Sequence, residues 1–482
     1  MDKKFSYIPK DKRKKILLIC DDIRVHSGVA TVAKEIVVHT ANHFNWCQIA
    51  GAIKHPEKGK QLDLSSETNK IAGIDDTYVK LFPVDGYGNE QILREIIKFE
   101  KPDAIMLFTD PRYFEFVFRM EAEIRKSCPI MYLNIWDDLP APMYNSAYYE
   151  ACDLLMGISK QTVNINKLVL KGKEKNRMFK YLPHGKNENI YYPLTKEEKS
   201  SKEFKDFKKG IFKGKNPKFI AFFNSRNIRR KQIPDTLLAF REFLYSLPKE
   251  KAKECFLILH TEAVTDHGTD LYKVREFLFG EDFEDQIIFS HQKYDDRVLN
   301  WLYNIADVQL LITSNEGWGL TLTEAILSGT PIIANTTGGM QDQMRFVDHN
   351  GKWFTPDANV PSNHRGTYKE HGEWAFPVYP ASRSIQGSPP TPYIFDDRCA
   401  WEDVVERLKE VYNTDREELK AKGLKGREWA ISNEAGFTSN HQAERFVGYV
   451  NELFDSWEPR EKYEIVNANE YKGKFLNHKI IY

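Results

Sequence analysis

The sequence predicts an α/β protein built from two doubly wound domains in series, facing across a cleft. Three observations lead there. The chain has 482 residues, too many for one hydrophobic core, so two domains of about 200 residues each are expected. Short apolar runs alternate with amphipathic stretches along both halves, the rhythm of a parallel sheet covered by helices. The two most distinctive polar clusters each follow an apolar run directly, at the strand ends where open sheets bind ligands.

Taken in order, residues 15–20 read as a buried first strand, and Ser27-Gly28-Val29 opens a helix that runs to about residue 43. Residues 102–108, 129–135 and 153–158 read as further strands. The Lys-rich stretch 195–216 has few large apolar residues beyond Phe204, Phe207, Ile211 and Phe212, and is expected to hold the interdomain linker. A second series follows, with strands at 218–223, 255–259, 286–289, 308–312 and 331–334. Residues 342–397 break the rhythm; they are rich in Pro, Gly, Tyr, Trp and Ser, and so long an irregular segment in a compact domain is expected to be functional. Residues 401–458 read as helical. The expected division is 1–205, then 206–440 with the insertion 342–397, then a helix and tail over 441–482 returning to the amino-terminal domain.

Charge and cysteine usage narrow the class. The formal net charge is zero, yet residues 151–240 carry 21 Lys and Arg against 8 Asp and Glu. That surplus suits either a polyanionic partner such as DNA or a solvated surface with a flexible linker. No apolar run reaches the roughly 18 residues of a membrane helix, and residues 16–20 are too short for a signal-peptide core. The six cysteines are scattered with no CxxC pair. This suggests a reducing, cytoplasmic setting and argues against a disulfide framework or structural zinc. His39 and His43 lie one helical turn apart without further ligand candidates and read as structural, so no metal site is expected.

Two clusters carry chemistry. The run Asn315-Glu316-Gly317-Trp318-Gly319-Leu320-Thr321-Leu322-Thr323-Glu324 passes from a strand into a helix. Its glycines let the backbone approach a ligand closely, and the amides of the opening turn face any anion placed there. Two carboxylates eight residues apart can reach the hydroxyls of one polar ligand; an isolated pair could equally be a helix cap and a solvated side chain. The second cluster, Asn224-Ser225-Arg226-Asn227-Ile228-Arg229-Arg230-Lys231, also leaves a strand end. Arg226 and Lys231 can converge on a diphosphate, while Arg229 and Arg230 face solvent or an acceptor.

Together these clusters resemble family 4 of the retaining glycosyltransferases, which have the GT-B fold. The family's E-x7-E motif is matched by Glu316 and Glu324, and its R-x4-K motif by Arg226 and Lys231. Tyr303, Ala306, Asp307 and Ser314 match the approach to the first motif. Thr337-Gly338-Gly339 matches the following glycine turn, Ser27-Gly28-Val29 the first glycine loop, Asp153 and Ser159 the fourth-strand pattern, and Pro183-His184-Gly185 the "P-N-G" turn. The resemblance implies an acceptor-side first domain and a second domain binding a nucleotide diphosphate sugar, with no cofactor and no essential metal. Glu324 is then expected on the ribose, Glu316 on the transferred sugar, and Arg226 and Lys231 on the diphosphate. Gly28, Val29, Gly317, Trp318, Gly319, Leu320 and Thr321 complete the donor wall. Retention of configuration by front-side attack is also implied.

One departure stands out. Where family members often carry His, this chain reads Ile135-Trp136-Asp137-Asp138-Leu139-Pro140. Trp136, Asp137, Asp138 and His184 are the expected contacts to sugar or acceptor, with a turn-capping role open for the aspartates. Within the insertion, the blocks starting at Trp374 and Gly387 resemble glycosyltransferases encoded by large tailed phages. That branch implies a hydroxymethylated DNA base as acceptor, bound through the basic 151–240 segment. A lipid-linked or cell-surface glycan is the other expected acceptor, with the basic amino terminus meeting an anionic membrane. A non-catalytic nucleotide-binding protein on the same fold is the reading from another class, and the intact Arg226, Lys231, Glu316 and Glu324 speak against it.

Overall fold

A computed structural model describes residues 5–280, 282–358, 363–364 and 367–459. The first sheet contains β1 (Lys14–Asp21), β2 (Phe44–Ala52), β3 (Leu62–Asp63), β4 (Val79–Asp85), β5 (Ala104–Phe108), β6 (Ile130–Asn134), β7 (Leu154–Gly157) and β8 (Met178–Tyr181). Their order is β3-β4-β2-β1-β5-β6-β7-β8, parallel throughout except for the short β3. The second sheet contains β9 (Phe219–Asn224), β10 (Cys255–His260), β11 (Ile287–Ser290), β12 (Val308–Leu311), β13 (Ile332–Asn335) and β14 (Ala375–Val378). It is parallel in the order β11-β10-β9-β12-β13-β14. The fold is GT-B, two Rossmann-like sheets. In each, strand order reverses at the first strand, β1 or β9, and that switch point opens a crevice at the carboxyl ends of the strands.

Helices cover both faces of the central strands, which are therefore continuous apolar runs. Ile16, Leu17 and Ile19 of β1 and Ala221, Phe222 and Phe223 of β9 are fully buried. The helix Gly28–Thr40 begins where Ser27 accepts a hydrogen bond from the Ala30 amide, satisfying one orphan donor of the first turn. The helix Ser439–Ser456 packs against the first domain, with Phe446 stacked 5.8 Å from Trp46. His39 and His43 lie along this seam: His39 meets Glu35 at 3.1 Å, and His43 faces Asn451 at 3.4 Å. The tail 460–482 lies outside the described residues.

Two strands run through prolines. Pro83 lies in β4, beyond the two-residue reach of its outer neighbour β3, and Pro377 lies in β14, the edge of the second sheet. These are places where a strand tolerates a missing donor. The Lys-rich stretch 195–216 differs from the expected linker. Thr195 forms a full capping box with Glu198, Ser201 caps the next helix, and the helices Lys196–Ser200 and Lys202–Ile211 follow. Phe204 and Phe207 pack on Trp301, and Phe212 on Phe256, so this segment belongs to the second domain. The few aromatic residues among the lysines are its inner face. The crossover precedes it: by Tyr191, whose hydroxyl donates to Asp296, the chain already touches the second domain.

The 342–397 insertion is irregular over its described residues from 344 to 374 and regular in its second part. It supplies β14 and a hairpin of β15 (Ser382–Ser388) and β16 (Thr391–Arg398), whose turn carries the Pro389-Pro390 pair. The hairpin reaches the first domain, where the Phe395 amide donates to Leu139 O at 2.8 Å and the Tyr144 hydroxyl donates to Tyr393 O at 2.9 Å. On the second-domain side, Arg229 pairs with Asp396 at 2.8 Å.

Candidate functional site

The carboxyl ends of the two sheets enclose a cavity of about 1080 Å³. The first domain contributes the loop after β1 with Gly28 and Val29, the ends of β5 and β6, and His184; the second contributes Ser225, Arg226, Arg230, Lys231, Glu316 and the turn Gly317–Thr321. Both sequence clusters therefore face one space.

At its centre Glu316 contacts Lys231 directly and accepts from Arg230 at 2.9 Å. Burial alone would raise the Glu316 carboxyl, but the two cations outweigh it and hold it at about 2. Burial, together with the neighbouring Arg230 charge, lowers Lys231 against the pull of Glu316. Arg226 is exposed at the cavity wall.

Gly319, at a φ of 90°, precedes the helix Leu320–Leu327 and supplies no side-chain cap, which leaves its first amides available to an anion. The glycines behind this turn are packing requirements: a Cβ on Gly338 would lie 2.0 Å from Glu316 O, and one on Gly339 2.0 Å from Gly317 O. A Cβ on Gly317 would lie 2.7 Å from Ile135 O of the first domain. The E-x7-E turn thus touches the opposite domain backbone to backbone.

Glu324 lies behind the wall. It is buried, accepts from the Tyr303 hydroxyl at 2.6 Å and pairs with Lys186 at 2.8 Å. Asp137 lines the cavity 4.0 Å from Arg230, its carboxyl raised by burial against that arginine's pull. His184 is buried between Phe108 and Trp318, and burial lowers its pKa to about 3, so the imidazole is neutral. Its Nδ1 has no hydrogen-bond partner among the described residues.

Trp136 and Asp138 do not line the cavity. The Trp136 indole donates to Asp138 O, and Asp138 is fully buried, accepting from Gln161 at 2.6 Å, the Leu139 amide at 2.7 Å and Thr337 at 3.2 Å. Burial and the neighbouring Asp397 push its carboxyl well up. Of the adjacent aspartates only Asp137 reaches the cavity, and Asp138 fastens the seam with the hairpin, where Arg383 holds Asp397 at 2.6 Å.

Sequence reasoning left Arg230 facing solvent or an acceptor, and gave no role to Lys186 or to Asp21, Tyr87 and Tyr113, which line the first-domain side. The alternation of neighbours gave no signal for Arg230, because it sits in a short 3-10 turn, Arg229–Lys231, that aims consecutive residues in different directions. Of the basic surplus of 151–240, Lys202, Lys205, Lys208 and Lys209 share one second-domain helix, Lys202–Ile211, and others are engaged elsewhere. Lys160 lies over Trp353, Lys173 pairs with Glu150, Lys180 with Glu452 and Lys215 with Asp285. Residues 171–177 precede β8 and so lie at the end of the sheet opposite the cavity. Among the described residues no group of three or more His, Cys, Asp or Glu could hold a metal ion, and no helix is long and apolar enough to cross a membrane.

The fold and site define a GT-B architecture whose cleft is lined by Arg226, Arg230, Lys231 and an uncapped helix start. Solved structures of similar fold include a glycosyltransferase from Rickettsia africae (TM-score 0.62, 14% identity, covering 92% of this chain and 100% of that one). Sucrose-phosphate synthase from Thermosynechococcus elongatus is similar too (TM-score 0.64, 15% identity, 92% and 100%), as is an Anabaena protein in complex with UDP and glucose (TM-score 0.59, 14% identity, 92% and 100%). In sequence, residues 201–361 match the model of the family Glycosyl transferases group 1. Trehalose synthase of Pyrococcus horikoshii is 34% identical over 80 residues, 17% of this chain and 19% of that protein. The Thermococcus litoralis enzyme of the same name is 27% identical over 118 residues, 24% and 28%. The chain thus spans 19–28% of the length of these curated relatives.

Proposed function

We propose that this protein is a glycosyltransferase that transfers a sugar from a nucleotide diphosphate donor to an acceptor hydroxyl, with retention of configuration and without an essential metal. The observation that carries the reading is the convergence of Arg226, Arg230 and Lys231 with the uncapped helix start at Leu320 in one interdomain cavity. A diphosphate is the ligand whose charge and size suit that convergence. Negative charge develops on the leaving diphosphate as the glycosidic bond breaks, and preorganised cations there stabilise the transition state. The three cations and the helix amides supply what a metal would otherwise supply. Glu316 contacts the transferred sugar; the ribose role of Glu324 rests on the resemblance to family 4, since its carboxylate lies behind the wall on Lys186 and Tyr303.

The anomeric carbon loses its bond to the phosphate oxygen and gains one to the acceptor oxygen, and the acceptor proton passes to the leaving phosphate. His184, neutral and packed against Trp318, walls the sugar from water rather than carrying a proton. Retention rests on the resemblance of the E-x7-E and R-x4-K motifs to family 4. A DNA acceptor gains no support at the cavity from the lysines of 171–177, which lie at the opposite end of the first sheet. The test is calorimetric titration of nucleoside diphosphates into wild type and Lys231→Ala. Binding by wild type that falls at least tenfold in the variant is expected; no binding of any nucleoside diphosphate by wild type would refute the donor site.

A further inference from the structure

The cavity has two chemically different halves. Its three cations, Arg226, Arg230 and Lys231, all belong to the second domain. The first-domain wall, among the described residues, carries no Lys or Arg; it presents Asp21, Val25, Ile53, Tyr87, Tyr113 and Asp137. The arginines adjacent to this wall in sequence are already paired, Arg24 with Asp22 and Glu57 at 2.6 and 2.8 Å, and Arg112 with Asp110 at 2.6 Å.

The wall has a defined chemistry. Tyr87 and Tyr113 lie 5.1 Å apart at 35°, and Tyr113 and Ile53 are 55% and 94% exposed, an apolar and aromatic surface beside the cavity. Between them Asp21 is fixed by two donors: the Tyr87 hydroxyl to Oδ1 at 2.6 Å and the Ser27 hydroxyl to Oδ2 at 2.5 Å. Each carboxylate oxygen retains a second acceptor position, so Asp21 can still receive a hydroxyl from a ligand in an orientation set in advance.

Charge then decides the ligand class. The lining carries three carboxylates, Asp21, Asp137 and Glu316, against the three cations. A bound diphosphate adds about two negative charges and leaves the cavity net negative, in a partly desolvated space where like charges are costly. A second phosphate would meet no further cation in the cavity lining; Lys54, beside Ile53, is exposed outside it. The volume, about 1080 Å³, lies at the upper end of the roughly 300–1,000 Å³ usual for ligand pockets.

We propose that this wall is an acceptor bay for an uncharged saccharide, whose ring lies on Tyr113 with a hydroxyl donating to Asp21, and that it excludes phosphorylated acceptors and nucleic acid. The inference rests on the glycosyltransferase reading, which makes the cleft a two-substrate site. An aromatic face with one polar handle suits a ring that is apolar above and below and polar at its edge.

The test is ligand-observed NMR and calorimetry with glucose, maltose, a glucose phosphate and a hydroxymethylcytosine duplex, each in the presence of UDP. The proteins are wild type, Tyr113→Ala, Asp21→Asn and Lys231→Ala. A neutral sugar is expected to bind wild type, at least tenfold tighter than the glucose phosphate. Tyr113→Ala, at a half-exposed position, and Asp21→Asn are each expected to weaken it at least tenfold while UDP affinity stays within twofold. Equal or tighter binding of the glucose phosphate or the duplex would overturn the proposal, as would unchanged sugar binding in both wall variants or no binding of either neutral sugar. The donor reading is scored separately: UDP binding to wild type that is lost in Lys231→Ala supports it, and no UDP binding to wild type counts against it whatever the sugars do.

Discussion

Replacing Glu316 by Gln removes one negative charge from between Arg230 and Lys231 while keeping the side chain's shape. In the native cluster the carboxyl is held at about 2 rather than 4.5, which at 1.36 kcal/mol per pKa unit corresponds to about 3 kcal/mol of stabilisation of the charged form. The folded pKa is depressed, so this contribution is complete above about pH 4.5 and is lost as pH falls toward 2. The variant is expected to lose up to about 3 kcal/mol at pH 7, because two buried cations are left without their counter-ion. A nucleoside diphosphate then supplies the missing charge. The thermal shift produced by saturating UDP is therefore expected to be larger in Glu316→Gln than in wild type, while sugar transfer falls by about 10²–10³. Scanning calorimetry with and without UDP reads the first effect and product mass spectrometry the second. Equal UDP-induced shifts in the two proteins, with wild-type turnover, would refute the reasoning.

Gly317→Ala is expected to weaken nucleotide binding at least tenfold, because its Cβ would lie 2.7 Å from Ile135 O across the domain seam; calorimetry measures this. Lys186→Met leaves Glu324 buried without its cation and is expected to cost about 3 kcal/mol in denaturant-unfolding stability. His184 is held neutral by burial, with its pKa lowered to about 3 from 6.5. This costs nothing above pH 6.5; below it the unfolded imidazole takes up a proton that the buried one does not, and stability falls by up to about 1.4 kcal/mol per pH unit toward pH 3. His184→Asn is expected to flatten the decline between pH 6.5 and 5 in denaturant titrations. Transfer is expected to survive EDTA, and complete loss restored only by Mg or Mn would contradict the cation-based donor site.

Much of the fold was legible because parallel strands buried on both faces are continuous apolar runs, as in β1 and β9. Among the strands not read from sequence, β4 and β14 carry Pro83 and Pro377 at positions where the neighbouring strand does not need their donor, and β2 mixes the buried polar Asn45 and Gln48 into its run. The helices of 195–216 were hidden because their outer face is Lys-rich and only a few apolar residues, Phe204, Phe207, Ile211 and the capping Phe212, face inward. At the site, glycine spacing and strand ends placed Arg226, Lys231 and Glu316 about one space. Side-chain direction was not legible: Asp137 and Asp138 point to different surroundings, and Glu324 turns to Lys186, a residue 138 positions earlier in the chain. The first-domain wall left no trace in local sequence, since Asp21, Tyr87 and Tyr113 come from separate loops and meet only through the sheet order.

The central claim is donor-dependent transfer at the cluster of Arg226, Arg230, Lys231 and Glu316. It is tested most directly by incubating the purified protein with a panel of nucleotide diphosphate sugars and neutral saccharides, and following nucleoside diphosphate and glycosylated product by mass spectrometry. The account predicts that at least one donor is consumed with a matching product, and that Lys231→Ala and Glu316→Ala each lose about 10²–10³ of that turnover while remaining folded. Wild-type turnover in either variant, or no consumption of any donor by the wild-type protein, would contradict it.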